Sequence, residues 1–126
     1  MTFSNLNTAP LDNYDYILKN IFMHLENAVI KRVNNTDREI ACLLSGGLDS
    51  SIICALVKKH YKGDLHTWSI GLEGSEDLKY AQKVADHIGS IHHSIVVSEG
   101  EFLSNISNVI LAIESYDTTT VRASVG

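Results

Sequence analysis

The sequence predicts an α/β fold: a parallel, twisted sheet in a three-layer α/β/α arrangement. Short apolar runs alternate with longer runs of helical period along the 126 residues. This alternation is the pattern of βαβ units, whose crossovers are right-handed. A second observation is the turn Ser45-Gly46-Gly47-Leu48-Asp49-Ser50-Ser51, set between an apolar run and a helix-like run. A third is that capping residues stand where the elements change.

The elements follow in order. Residues 1–12 are polar and expected to be loose. From Tyr14 to Val33, apolar residues at Ile17, Ile21, Phe22, Leu25, Ala28, Val29 and Val33 form a helical stripe, with Lys19, Glu26 and Arg32 off it. Ile40–Leu44 is continuously apolar, as expected of a strand covered on both faces. Ser51–His60 reads as a helix, and Gly63 closes the turn after it. His66–Ile70 is a second strand, with Trp68 expected in the core. Gly71–Gly74 is a loop. Ser75 caps a helix with Glu76 and Asp77 in its first turn, an inner face of Leu78, Ala81, Val84, Ala85 and Ile88, and a stop at Gly89. Ile91–Val97 is a third strand, and Ser98 caps a helix through Phe102, Ile106, Val109, Ile110 and Ile113. Ligands of parallel sheets bind at the carboxyl ends of strands. That places Leu44 with the Ser45 turn, and Ile70 with Gly71, on one edge.

The turn carries the chemistry. Backbone N–H groups of a strand-to-helix turn face an anion, and the helix adds the positive end of its dipole. Gly46 and Gly47 admit positive φ and keep side chains out of the way of a phosphate. Ser45, Ser50 and Ser51 add hydroxyls. Asp49 would repel a phosphate unless a cation lay between them, so it is read as the holder of Mg²⁺. No lysine falls between Ser45 and Val57, so this is not a Walker A loop. An ordinary capped turn is the bland alternative. The whole pattern, however, has a chance occurrence on the order of 1 in 10⁵ at ordinary residue frequencies.

Composition excludes several classes. A hydrophobic fraction of 44% argues for a globular domain and against disorder. A net charge of −5, with no Lys/Arg block, argues against nucleic acid as a partner. No stretch reaches the length of a membrane span, and MTFSNLNTAP lacks signal-peptide character, so no membrane partner and a cytoplasmic location are expected. Cys42 and Cys54, both in apolar runs, are expected to be buried free thiols. His92-His93 reads as one inward and one outward strand residue rather than a metal site.

Ser-Gly-Gly-Leu-Asp-Ser-Ser resembles the pyrophosphate loop of the N-type ATP pyrophosphatases, the PP-loop superfamily with its adenine nucleotide alpha hydrolase-like fold. The segment Glu114-Ser115-Tyr116-Asp117-Thr118-Thr119-Thr120-Val121-Arg122-Ala123-Ser124 narrows this. It resembles the Glu-Thr-Tyr-Asp-x-Thr-Thr-x-Arg-Ala-Ser segment of glutamine-dependent asparagine synthetases. So do Ser-Ile-Gly-Leu at Ser69–Leu72, the block from Asp77 to Gly89, and the helix ending Ala28–Arg32. The likeness covers about residues 14–126.

The resemblance implies ATP-dependent asparagine synthesis from aspartate and ammonia through β-aspartyl-AMP, with release of pyrophosphate. It implies that Ser45, Gly46, Gly47, Asp49, Ser50 and Ser51 hold Mg-pyrophosphate and that Leu44 and Ile70 lie against adenosine. Thr119, Thr120 and Arg122 would face the reacting phosphate or aspartyl group; a guanidinium and hydroxyls suit that charge. Arg122 as a surface residue and Thr118–Thr120 as helix-capping residues stay open alternatives.

The family's glutaminase domain begins with a nucleophilic cysteine after the initiator Met. Residue 2 here is Thr2, so no glutaminase is expected, and a separate one becomes a candidate partner. In the family a further strand and a second acidic Ser-Gly-Glu-Gly-x-Asp-Glu turn come later. Residues 13–126 are therefore read as the N-terminal part of a synthetase domain, truncated after about three strands. In the family the strand that flanks Ile40–Leu44 on its other side is also a later one. Self-association through that edge is expected, unless the Tyr14–Val33 helix shields it. A non-catalytic nucleotide-binding fragment and a β-lactam-synthetase-like ligase are the competing readings.

Overall fold

The computed structural model describes residues 13–124, apart from the side chains of Arg122 and Ala123. The expectation for residues 1–12 lies outside them. The elements are α1 (Tyr14–Asn34), β1 (Ala41–Leu43), α2 (Leu48–His60), β2 (His66–Leu72), α3 (Glu76–Ile88), β3 (Ile91–Val97), α4 (Glu99–Ile113) and α5 (Thr118–Ser124). The three strands are parallel in the order β1-β2-β3, with Cys42 beside Thr67 beside His92, and Leu43 beside Trp68 beside His93.

The caps explain the boundaries. The Asn13 side chain accepts from the Tyr16 N–H, that of Ser75 from Leu78, and that of Ser98 from Glu101. At Ser98 the Glu101 carboxylate reaches back to the Ser98 N–H, completing a reciprocal capping box. Gly89 ends α3 at φ 65°, the left-handed conformation that glycine tolerates best. β2 runs on through Gly71 and Leu72, which were expected in a loop, because Val96 and Val97 of β3 pair with them.

Crossovers that advance in one direction across a sheet put their helices on one face, and here α2 and α3 share a face. Leu44 and Cys54 pack there with Ala81 and Ala85. Val29 of α1 joins Leu56, Val57 and Leu65 in a neighbouring cluster. Leu44 and Leu65 are almost fully buried, each contributing about 1.5–3 kcal/mol. Glu26 ties α1 to α2: Lys59 Nζ donates to Glu26 Oε1 at 2.8 Å, and His60 Nε2 lies 3.0 Å from the same oxygen.

Polar groups also enter this face. Thr67 and Ser69 are buried. His92 lies between them, with Nδ1 2.9 Å from Thr67 Oγ1 and Nε2 3.1 Å from Ser69 Oγ. His92 therefore faces inward and His93 outward, as the strand alternation requires.

The other face corrects two expectations. Ile40–Leu44 was expected to be covered on both faces, and Trp68 to be core. Leu43 is 84% exposed and Trp68 38% exposed. The physical reason is that helices pack on one side only. α4 carries an apolar stripe, yet none of its residues is buried, and α5 is its main neighbour. β1 is an edge of the described sheet, and α1 packs chiefly on α2 rather than along it.

Candidate functional site: the Ser45–Ser51 turn and the hollow beside it

β1 leads into the turn and α2 leads out. The Leu44 N–H donates to the Trp68 carbonyl at 2.7 Å, which fixes the strand end. Gly46 then takes φ 83°. Gly47 is the N-cap of α2 at φ −77°, with no side-chain cap. Positive φ is thus adopted at Gly46 and not at Gly47. Gly46 is needed for space as well: a Cβ there would stand 2.5 Å from Asp77 O and 3.0 Å from Ala81 N. At Gly47 a Cβ would meet only Ser45 Oγ, at 3.5 Å.

The hydroxyls are pre-arranged. Ser51 Oγ donates to Gly47 O at 2.6 Å, and Ser50 Oγ donates to the same oxygen at 3.2 Å. Ser50 Oγ accepts from the Ser45 N–H at 3.3 Å and lies 2.9 Å from Ser45 Oγ. The Ser51 N–H donates to Gly47 O at 3.1 Å and closes the first helical turn, so α2 begins at Leu48, three residues before the start read from the sequence. With a glycine at the cap, the first-turn N–H groups of this 13-residue helix are not screened by a capping side chain. They and the dipole present partial positive charge to an anion. Asp49 stands exposed in the same first turn.

A hollow of about 510 Å³ adjoins the turn on the open face of the sheet, lined by Leu43, Leu44, Ser45, Trp68, Ser69, Ile70 and Ile95. Leu44 and Ile70 were read from the sequence; Leu43, Trp68 and Ile95 were not. The signal that would have found them is strand alternation, since Leu43, Trp68 and Ile95 lie on the face opposite buried Thr67 and Ser69. The Trp68 indole is fixed by stacking on His93, centroids 4.2 Å apart, and His93 stacks on His66 in turn. Volume and apolar lining with a polar rim are those of a small-molecule site.

Thr119 and Thr120 lie exposed on α5. Asp117 accepts from both the N–H and the hydroxyl of Thr120, each at 2.9 Å. These bonds, the N–H first, hold the Asp117 carboxyl below its ordinary range. α5 packs on α4, so the structure does not bring Thr119 and Thr120 to the turn by any extensive contact. The side chain of Arg122 lies outside the described residues. Among the described residues no group of three His, Cys, Asp or Glu side chains converges as a metal site, and no helix is long and apolar enough to cross a membrane.

The fold and the turn define a class: a parallel α/β domain with a glycine-rich strand-to-helix turn. Solved structures share the architecture. The NH3-dependent NAD synthetase of Campylobacter jejuni matches with a TM-score of 0.59 at 16% identity, over 85% of this chain and 46% of that one. The NMN synthetase of Francisella tularensis matches with a TM-score of 0.51 at 14% identity, over 76% and 41%. At such identities the likeness shows the fold alone.

Sequence relatives are more specific. The asparagine synthase family model matches residues 21–126, and the chain belongs to that family. It is 48% identical over 115 residues to the glutamine-hydrolysing asparagine synthetases of Bos taurus and Homo sapiens, covering 87% of this chain and 20% of theirs. To that of Mus musculus it is 46% identical over 122 residues. The chain spans about one-fifth of the length of these relatives, and its lineage is that of ligases.

Proposed function

We propose that the Ser45–Ser51 turn holds the β- and γ-phosphates of ATP and that the hollow lined by Leu44, Ile70 and Trp68 takes the adenosine. Residues 13–126 then act as the N-terminal, ATP-binding part of a cytoplasmic asparagine synthetase domain. The observation that supports this most is the juxtaposition of an uncapped helix N-terminus, exposed serine hydroxyls and an apolar hollow on one sheet edge. A triphosphate and a planar base need those two environments side by side.

Asp49 fits a shared Mg²⁺. This ion keeps several waters and takes phosphate oxygens from its substrate, so one carboxylate from the protein suffices. The ion would supply charge neutralisation between Asp49 and the phosphates. The chain's own groups do the rest. N–H groups of the α2 first turn and the Ser45 and Ser50 hydroxyls hold the leaving pyrophosphate, where negative charge grows. The β-carboxylate of aspartate attacks the α-phosphorus, giving β-aspartyl-AMP and pyrophosphate. Ammonia, from a glutaminase domain or from solution, then displaces AMP to give asparagine. Thr119, Thr120 and Arg122 are assigned to the reacting phosphate or aspartyl group on the strength of the family segment. Occupying that role requires α5 to approach the turn and Thr120 to exchange its bond to Asp117.

The β1 edge supports a further part of this reading. An unpaired parallel edge recruits another strand, either a later strand of the same domain or a second copy of the chain. Amide chemical-shift mapping with Mg-ATP tests the site. Shifts are expected at Ser45–Ser51 and around Trp68–Ile70. Shifts confined to other surfaces, or none at saturating nucleotide, would contradict the assignment.

A further inference from the structure

Cys42 and Cys54 sit on the two elements that flank the turn. Cys42 is the middle residue of β1 and half-buried. Cys54 is on α2 and buried. Both belong to the same packing: Cys42 lies against the cluster that contains Leu44, Cys54, Ala81 and Ala85. The Cys54 thiol aims at the β1 backbone beside Cys42, donating to Leu43 O at 3.8 Å. β1 is an edge strand of the described sheet, so a small solute reaches Cys42 more readily than Cys54.

We propose that Cys42 and Cys54 form an oxidisable dithiol, a modification site at which a hydroperoxide joins the two thiols in a disulfide between β1 and α2. The ring so closed contains residues 43–53, and with them the whole Ser45–Ser51 turn. The inference is independent of what the turn binds.

The two sulfurs have different roles. The neighbouring Cys54 thiol lowers the Cys42 pKa against the opposing effect of burial. Cys54, paired with Cys42 and itself buried, is pushed up. The thiolate is the nucleophile, so Cys42 reacts first. Its sulfur attacks one peroxide oxygen; the O–O bond breaks, and hydroxide leaves and takes a proton to become water. Cys42 is now a sulfenic acid, and its sulfur is the electrophile. The Cys54 sulfur gives up its proton and attacks Cys42 Sγ. The S–O bond breaks, and the hydroxide released takes the proton as water. Two thiols and one hydrogen peroxide give one disulfide and two waters, with two electrons passing from sulfur to oxygen.

The test is peptide mass spectrometry of the intact chain after mild hydrogen peroxide, without reductant. The expected product is a single species lighter by about two mass units, with the Cys42 and Cys54 peptides linked, and restored by dithiothreitol. Cys54→Ser should stop at a Cys42 sulfenic acid captured by dimedone, whereas Cys42→Ser should react at least tenfold more slowly. Hydrogen exchange at the Ser45–Ser51 amides should slow in the oxidised form. The proposal is overturned if wild type forms only intermolecular disulfides, if it passes to sulfinic acid without a link, or if Cys54 is the residue dimedone labels. Should either serine variant fail to fold, the wild-type linkage alone decides.

Discussion

Gly46 lies so close to Asp77 that a Cβ on it would come within 2.5 Å of the Asp77 carbonyl oxygen. The turn is thereby pressed against the first turns of α3, and its shape depends on a helix remote in sequence. The first expectation follows. Gly46→Ala combines a positive-φ penalty with an overlap against backbone, and should lower stability by about 2–4 kcal/mol. Gly47→Ala, at φ −77° and meeting only Ser45 Oγ at an ordinary contact distance of 3.5 Å, should change stability by less than about 0.5 kcal/mol, yet weaken phosphate binding by placing a methyl at the proposed anion site. Chemical denaturation of both variants checks this; equal losses would mean that the contact with α3 is not what shapes the turn.

On the proposed assignment the hollow takes the base and the turn takes the phosphates. Ile95→Asp puts a charge in the apolar wall, away from the turn, and should reduce ATP affinity at least tenfold while leaving pyrophosphate affinity within twofold. Competition titrations give both numbers. A parallel loss of both ligands would place the base elsewhere.

His92 should make stability depend on pH. Burial, first, and then the neighbouring His93 charge lower its pKa from 6.5. Asp86 opposes this, and so does a backbone hydrogen bond to Thr67. A group whose pKa falls on folding binds its proton more readily when unfolded. The stability it confers is therefore present above about pH 6.5 and lost as the pH drops through the lowered value. NMR titration of the imidazole in the folded chain should give a midpoint below 6.5; a midpoint above it would reverse the sign.

The β1 edge should be sticky. Leu43 is exposed and strand pairing on its outer side is unsatisfied within the described sheet. Light scattering of the chain alone should show association rising with concentration, and Leu43→Lys should suppress it. A monodisperse monomer with slow hydrogen exchange across Ala41–Leu43 would refute the edge as an interface.

Most of the fold was legible in the sequence where a local interaction dictates the outcome. Ser75, Ser98 and Gly89 bond or turn within their own segments, so their roles can be read without the rest of the chain. β3 was readable from the apolar, β-branched run Ile91–Val97 bounded by Gly89 and Ser98. What depends on partners was not. An apolar strand such as Ile40–Leu44 looks alike whether one face is covered or both, and only the placement of α2 and α3 shows that Leu43 and Trp68 face the open side. The start of α2 was hidden because its N-cap is Gly47, which has no capping side chain to mark the boundary. The turn residues themselves were readable as a motif. Leu43, Trp68 and Ile95 emerge only once the register of three strands is known.

The most direct test of the phosphate assignment is calorimetric titration of pyrophosphate into the chain, with and without Mg²⁺, in wild type and Asp49→Asn. The expected result is saturable binding by wild type that strengthens with Mg²⁺, and a loss of that enhancement, at least tenfold, in Asp49→Asn. Binding of equal strength in the two proteins with Mg²⁺ present, or no saturable binding by wild type at millimolar pyrophosphate, would contradict it.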